Sequence, residues 1–311
     1  MREKRFGGAV AVSLALCAGA AQGITIQFDY SYDAEGFFSA DKRAVLNQVA
    51  SLYGSNLTDS LSAFTSAGGN HASFSFFDPA NDADTINLTN QSLAADTLRI
   101  FVGSSALGSG VLAVGGPGGT ASSGSAAFNT AVTTRGQAGA SLATPTDFGP
   151  WGGAVSFSSS FSWYADADVT TLESFSGTDF YSVAMHEVGH VLGIGTAPSW
   201  SASVVGSTFV GSNVEAVAGG AVGLNSVHDH WASGTASSIN GVSQLAAMSP
   251  SIGAGERKYF TELDWAALRD VGWQVTSLDA FPVAAVPEPA NYVMLLAGLG
   301  LFGVMVRRRY V

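Results

Sequence analysis

The amino-acid sequence predicts an α+β fold, because its strands come early and its helices are few. Residues 24–30 alternate apolar and polar side chains, which is the two-residue period of a half-buried strand. Residues 72–77 and 97–103 are also typical of strands, and residues 154–164 are a further strand-like stretch. The candidate catalytic and metal-binding residues all lie in one stretch, residues 24–278, which we therefore expect to be a single domain.

Three helices are predicted from periodicity and caps. Apolar side chains line one face of residues 39–53, and Gly54 follows as a stop. A second helix begins at a cap on Thr178 or Asp179 and runs to about residue 192. The third, residues 262–270, opens with a capping-box pair and ends before a glycine: Thr261 with Asp264, then Gly272.

Two segments are expected to be irregular. Residues 193–260 are rich in Gly, Ser and Ala. Residues 107–124 are predicted to be a flexible surface loop. Their glycines lack both the Lys-Ser/Thr pair of a P-loop and the GxGxxG spacing of a dinucleotide site: Gly115, Gly116, Gly118 and Gly119.

Composition excludes several classes of function. The chain carries 24 acidic and 13 basic residues, a formal net charge of -11, which argues against nucleic acid as a partner. Its single cysteine, Cys17, lies in the N-terminal segment. The remaining chain therefore has no disulfide, no thiolate metal site and no nucleophilic cysteine.

The N-terminal segment has the three-part pattern of a secretory signal. Residues 2–5 are basic, residues 7–21 are apolar and small, and Ala21 and Gly23 are small residues at the positions that signal peptidase prefers. We therefore expect residues 1–23 to be a signal peptide and signal peptidase to be a partner.

At the C-terminal end, Pro-Glu-Pro at residues 287–289 precedes an apolar run, residues 290–306, and three arginines, residues 307–309. This three-part segment resembles the PEP-CTERM sorting signal of Gram-negative bacteria. The resemblance implies processing by an exosortase, a transient inner-membrane contact through a transmembrane helix in residues 287–311, and delivery to the surface or extracellular matrix. A permanent single-helix anchor is the alternative, and residues 279–286 are the expected linker.

The strongest chemical motif is His186-Glu187-Val188-Gly189-His190, which matches HExxH. Histidines four residues apart lie on one face of a helix, so both imidazoles can reach one Zn²⁺ ion. Glu187, beside the first ligand, can then act as general base toward water that the zinc activates. The sequence therefore predicts His186 and His190 as metal ligands and Glu187 as the catalytic residue.

With Gly193 the motif extends to HExxHxxG and resembles the metzincin pattern, which implies a third histidine three residues later. Thr196 stands there instead. In leishmanolysin-like metzincins a long insertion displaces that histidine, and the His-Trp pair at residues 230–231 is similar to the displaced segment. The resemblance implies His230 as third ligand, with His228 as the alternative.

Met248, two residues before Pro250, resembles the methionine turn of matrixin-like metzincins, and residues 258–273 resemble their C-terminal helix. The resemblance implies a metzincin-like zincin domain: a twisted mixed sheet, an active-site helix, and a C-terminal helix after a Met-turn. Residues 154–161 would be the edge strand above the cleft. The implied function is a zinc-dependent endopeptidase acting on a protein or peptide substrate. The alternative is an inactive surface or exopolysaccharide-matrix protein of the same fold.

Overall fold

The computed structural model describes residues 23–171 and 173–282, which form a mixed α/β architecture. The helices of these residues are α1 (Ala40–Asn56), α2 (Ala126–Thr134), α3 (Phe180–Val191), α4 (Pro198–Ala202), α5 (Ser212–Ala218) and α6 (Glu262–Val271). The longer strands are β1 (Thr25–Tyr32), β2 (His71–Asp78), β3 (Asn81–Leu88), β4 (Thr97–Ser105), β5 (Ala113–Pro117), β6 (Gly119–Ser123) and β7 (Gly152–Ser158). The short later strands are β8 (Trp163–Tyr164), β9 (Thr178–Asp179), β10 (Val204–Val205), β11 (Thr208–Phe209), β12 (Val222–Gly223), β13 (Ala236–Ile239) and β14 (Val242–Leu245).

The largest sheet has four strands in the order β1, β4, β7, β5. The first three are parallel, and β5 pairs antiparallel with β7. The sheet is therefore mixed, as predicted. Ile100 and Val102 of β4 and Phe157 of β7 pack with α1 and α3 in the largest core. Because these central strands are covered by helices on this face and by aromatic residues on the other, they are strongly apolar.

A second sheet, β3-β2-β6, closes the other face of the first. Phe101, between Ile100 and Val102 on β4, points to this side and stacks on Phe76 with ring centroids 4.5 Å apart. Trp151 stacks on Phe74 at 4.0 Å. The alternation of side chains along β4 thus divides the apolar residues between two cores.

Two expectations about the strands near the site are wrong. Residues 107–124, expected to be a flexible loop, contain β5 and β6. Residues 154–161, expected to contain the edge strand, form most of β7, which lies between β4 and β5 with every residue buried. Backbone groups make the ladder hydrogen bonds, so a segment poor in side chains can still pair. Gly118 is needed between β5 and β6, because a Cβ there would lie 2.0 Å from the Trp151 ring.

The predicted helices are confirmed, together with the predicted caps of α3 and α6. The predicted stop of α1 at Gly54 is wrong, since the helix continues to Asn56, whose side-chain amide donates to the Ser277 carbonyl. Ser39 caps α1 by accepting a hydrogen bond from the Lys42 amide, and Asp179 caps α3. The capping box of α6 is formed: the Asp264 carboxylate accepts from the Thr261 amide at 2.9 Å. Helix α2 and strand β3 were not predicted, and the segment predicted to be irregular, residues 193–260, contains α4, α5 and short two- and three-stranded sheets.

The predicted signal peptide, residues 1–23, and sorting segment, residues 287–311, lie outside the described residues, apart from Gly23. The start of the predicted linker packs against the domain, since the Phe281 ring lies 4.5 Å from that of Tyr259. Within the described part of the chain, no helix combines the length and the apolar character needed to cross a membrane.

Candidate metal centre

Helix α3 carries two of the predicted ligands and is fixed on both sides. At its start, Asp179 accepts hydrogen bonds from Ser182 and forms a buried ion pair with Arg257 at 2.9 Å. In its middle, the hydroxyl of Tyr53 on α1 donates to the Met185 carbonyl at 2.8 Å. These contacts come from residues far apart in sequence, and they hold the helix in one orientation against the sheet.

Three imidazoles converge beside this helix. The Nε2 atoms of His186 and His190 are 3.1 Å apart, as the four-residue spacing on α3 predicts. The Nε2 atom of His230 lies 3.0 Å from that of His186 and 3.1 Å from that of His190. Among the described residues, these three histidines form the group whose side-chain ligand atoms lie close enough together to bind one metal ion.

The other nitrogen of each ring faces an oxygen. The Nδ1 atom of His186 is 2.7 Å from the Ala247 carbonyl, and that of His190 is 2.8 Å from the Ile194 carbonyl. The Nδ1 atom of His230 is 2.6 Å from the Asp229 carboxylate. Each Nδ1 therefore carries the proton, which leaves the three Nε2 lone pairs directed at one another. A cation among them would remove that repulsion.

Electrostatics keep two of the rings neutral. Burial lowers the pKa of His190 to about 4, and the neighbouring His230 contributes in the same direction. Burial also lowers the pKa of His186, followed by the effect of His190 and His230. Neutral imidazoles are the form that binds metal ions.

The residues present fit a metal ion held by three nitrogens. Tetrahedral zinc with Zn–N bonds of about 2.0–2.1 Å would place its nitrogens about 3.3–3.4 Å apart, so the observed separations of 3.0–3.1 Å need only a slight expansion. Three imidazoles leave a coordination position open. The same donor set also suits copper, iron or nickel, so this geometry by itself indicates a transition-metal site rather than one particular ion.

Glu187 is buried and shares a cavity with two of the clustered histidines. It is 6% exposed and lines the cavity together with His186 and His230. Burial alone raises the pKa of its carboxyl group to about 8. Its carboxyl group has no hydrogen-bond partner among the described residues, so it is free to exchange a proton with a ligand in the cavity.

Strand β5 covers Glu187. A Cβ atom added to Gly115 would lie 2.7 Å from the Glu187 carbonyl oxygen and 2.9 Å from its Oε2 atom, closer than real Cβ contacts allow. A Cβ atom on Gly116 would meet nothing within 4 Å. The segment predicted to be a loop is therefore the strand that closes the site, and a glycine at position 115 is what permits the approach.

Met248 packs beneath the helix, as its resemblance to a methionine turn implies. The residue is fully buried, and its Sδ atom lies 2.8 Å from where a Cβ of Gly189 would stand, between the two ligand positions on α3. The turn that carries it is held by Asp264 of α6, whose carboxylate accepts from the amides of Ala247 and Met248 at 2.8 and 3.2 Å.

The structure distinguishes His230, which lies in the cluster, from His228, the alternative third ligand. His228 is outside the cluster of the described residues and lies in a left-handed turn with φ 64°, its carbonyl bonded to the Trp200 indole. Thr196, which occupies the metzincin histidine position, donates its hydroxyl hydrogen to the His190 carbonyl at 2.6 Å. Thr196 therefore closes the end of the helix rather than facing the cluster.

Sequence reasoning missed the residues that hold His230. Asn225 donates to Asp229 at 2.6 Å, and Asp229 accepts from His230. Burial raises the pKa of Asp229, but the hydrogen bonds from His230 and Asn225 outweigh burial and keep that pKa below its usual range. A signal was present, because metal-binding histidines commonly donate to a carboxylate and Asp229 directly precedes His230.

A cavity of about 700 Å³ opens beside the cluster. Its walls include β5 and the segment just before it, the face of α3 that carries Val183, His186 and Glu187, and the segment after Met248. Glu187, His186 and His230 all contribute to its surface, so a ligand in the cavity would reach both the imidazoles and the carboxyl group.

Comparison with known families finds a match to the PEP-CTERM protein-sorting motif at residues 285–309. This supports the resemblance of the C-terminal segment and indicates a secreted or cell-surface protein of Gram-negative type. The motif is a substrate signal for exosortase, consistent with exosortase processing. No curated protein matches the chain. No solved structure matches it either.

Proposed function

We propose that the protein is an exported, metzincin-like zinc endopeptidase. The observation that carries the proposal is the convergence of three Nε2 atoms within 3.0–3.1 Å beside a buried carboxyl group that lines the same cavity. A purely structural metal site needs no such carboxyl group. His186, His190 and His230 would hold the zinc, and the match at residues 285–309 supports an extracellular place of action.

The chemistry that a zinc ion would supply here is Lewis acidity towards water and towards the carbonyl of the scissile bond. Glu187 accepts a proton from the water whose oxygen attacks that carbonyl carbon. When the C–N bond breaks, Glu187 returns a proton to the leaving nitrogen. The protonated Glu187 that this second step needs is the form that the first step produces.

Strand β5 supports a peptide as the substrate. It lies at the edge of its sheet and pairs with β7 on one side. Its residues Ala113 and Val114 line the cavity beside Glu187. An extended peptide can pair with such an edge through main-chain hydrogen bonds, which would bring a peptide bond to the imidazole cluster.

The test is cleavage of a peptide library by the full chain and by its Glu187→Ala variant, with zinc quantified in both samples. We expect cleavage by the wild type, its loss in Glu187→Ala, and near-stoichiometric zinc in both. Glu215→Ala, on the remote helix α5, is the matched control and should cleave like the wild type. Bound zinc without cleavage by the wild type or either variant would instead support the inactive surface or matrix protein. Absence of zinc from all three would contradict the metal site itself.

A further inference from the structure

The wall of the cavity next to the metal centre contains a buried lysine. Lys258 follows the Met-turn segment, is 3% exposed and lines the cavity together with His186 and Glu187. Apart from those residues and His230, it is the one charged side chain among the described residues that line this cavity. The charge of this wall is therefore positive.

No carboxylate of the described residues pairs with this lysine. Its Nζ atom donates to the Ser251 carbonyl at 2.6 Å, and none of the ion pairs in the described chain includes it. Glu256 and Asp264 act on it only at longer range. Glu256 is bonded to the Gly253 amide, and Asp264 accepts hydrogen bonds within α6 and from the Met-turn. An ammonium group has three donors, so Lys258 retains capacity for a ligand.

A second polar group in the same wall also has no partner. The Ser249 hydroxyl is buried without a hydrogen bond among the described residues, although its residue is 5% exposed and lines the cavity. Buried hydroxyl groups in native proteins are normally bonded. An unbonded hydroxyl that can turn about its side-chain bond, and an ammonium group with donors to spare, are together suited to an acceptor with two oxygens.

Part of this wall is apolar. Val183 of α3, Pro250 and Ile252 line the cavity together with Lys258 and Ser249. A side chain with methylene groups below a carboxylate would contact the apolar part and still present its oxygens to Lys258 and Ser249. Among natural side chains, glutamate has that form, and aspartate is its shorter equivalent.

We propose that this wall is a specificity subsite that binds the carboxylate of an acidic residue flanking the scissile bond, with Lys258 as its cationic partner and Ser249 as a hydrogen-bond donor. The inference rests on the proposed peptidase function and adds the substrate class. A buried, charge-assisted hydrogen bond discriminates against a substrate that lacks the charge, because the desolvated ammonium would then stay unpaired.

The experiment compares two peptides that differ only by Glu or Gln beside the cleaved bond. For the zinc-loaded full chain, we expect kcat/KM for the Glu peptide to exceed that for the Gln peptide by about ten- to a hundredfold, the range expected for a hydrogen bond to a charged group. Lys258→Gln, which keeps a donor toward Ser251, should reduce this ratio to near unity. Ser249→Ala should lower the ratio by a few-fold, whereas Ser199→Ala, a buried serine outside the cavity, should not change it.

The ratio separates a binding role from a structural one, because a general loss of folding would lower both rates together. Equal cleavage of the two peptides by the wild type, or a preference that survives in Lys258→Gln, would overturn the subsite while leaving the peptidase intact. If no peptide is cleaved, the proposed function fails. Binding of the same two labelled peptides to the zinc-loaded protein then decides the subsite: tighter binding of the Glu peptide supports it, and equal binding rejects it.

Discussion

The two sides of the metal centre are built in different ways. His186 and His190 lie four residues apart on α3, so helix geometry brings their Nε2 atoms to 3.1 Å, and main-chain carbonyls hold their Nδ1 atoms. His230 comes from an irregular segment 40 residues beyond His190 and depends on a side chain, Asp229. Local structure can therefore supply a pair of ligands, whereas the third requires a network from distant parts of the chain.

Asp264 connects that network to the rest of the site. It is fully buried, and its carboxylate accepts from the Trp231 indole at 2.8 Å as well as from the Met-turn amides. Trp231 directly follows His230, and the Ala247 carbonyl accepts from His186. One carboxylate on α6 thus positions segments behind ligands on both sides of the centre.

The largest expected effect breaks the centre itself. His190→Ala removes a ligand from the helix side and His230→Ala removes the ligand from the loop side, so both should lose zinc after dialysis, as measured by metal analysis. His228→Ala is the matched control and should retain near-stoichiometric zinc, because His228 lies outside the cluster. Retention by His230→Ala together with loss by His228→Ala would move the third ligand to His228.

The next effect tests the connection through α6. Asp264→Ala leaves several buried donors without an acceptor, at about 1–3 kcal/mol each, so we expect the free energy of unfolding to fall by at least about 3 kcal/mol in urea titrations. Asp82→Ala, at an exposed position on β3, should change it by less than about 0.5 kcal/mol. A loss below about 1 kcal/mol for Asp264→Ala would show that the segments behind the ligands do not rely on this carboxylate.

A smaller effect is expected on the loop side alone. Asp229→Asn removes the carboxylate that accepts from His230, and partners of this kind typically change metal affinity by about 10–100-fold. We expect that loss in competition with a chelator of known zinc affinity. On the helix side, His186 and His190 donate to main-chain carbonyls, so a side-chain substitution cannot remove their hydrogen-bond acceptors in the same way. Unchanged affinity would mean that the loop positions His230 without Asp229.

The smallest effect concerns the strand above the helix side. Gly115→Ala would press a methyl group against Glu187, and overpacking of this kind costs about 1–3 kcal/mol. We expect reduced stability in urea and reduced kcat/KM. Gly116→Ala, one residue away in open space, should change stability by less than about 0.5 kcal/mol. Equal behaviour of the two variants would show that β5 can move away from the helix.

Much of the scaffold could be predicted because its signals are local. The Asp179 and Thr261 caps act over three residues, and the apolar face of α1 repeats within a few turns, so these three helices follow from the sequence. Strand β5 could not be predicted in this way, since its glycines carry no apolar alternation. Its pairing with β7 is made by backbone groups, and the contact of Gly115 with Glu187 joins segments about seventy residues apart.

The sequence by itself determined the helix with His186 and His190 on one face, because residues four apart in a helix lie one turn apart. It also determined the sorting segment at residues 285–309. Only the tertiary structure decided that His230 rather than His228 joins the cluster, that β5 closes the site, and that Lys258 lies in the cavity wall. These depend on how separate segments pack, and packing is a property of the whole chain rather than of any short stretch of it.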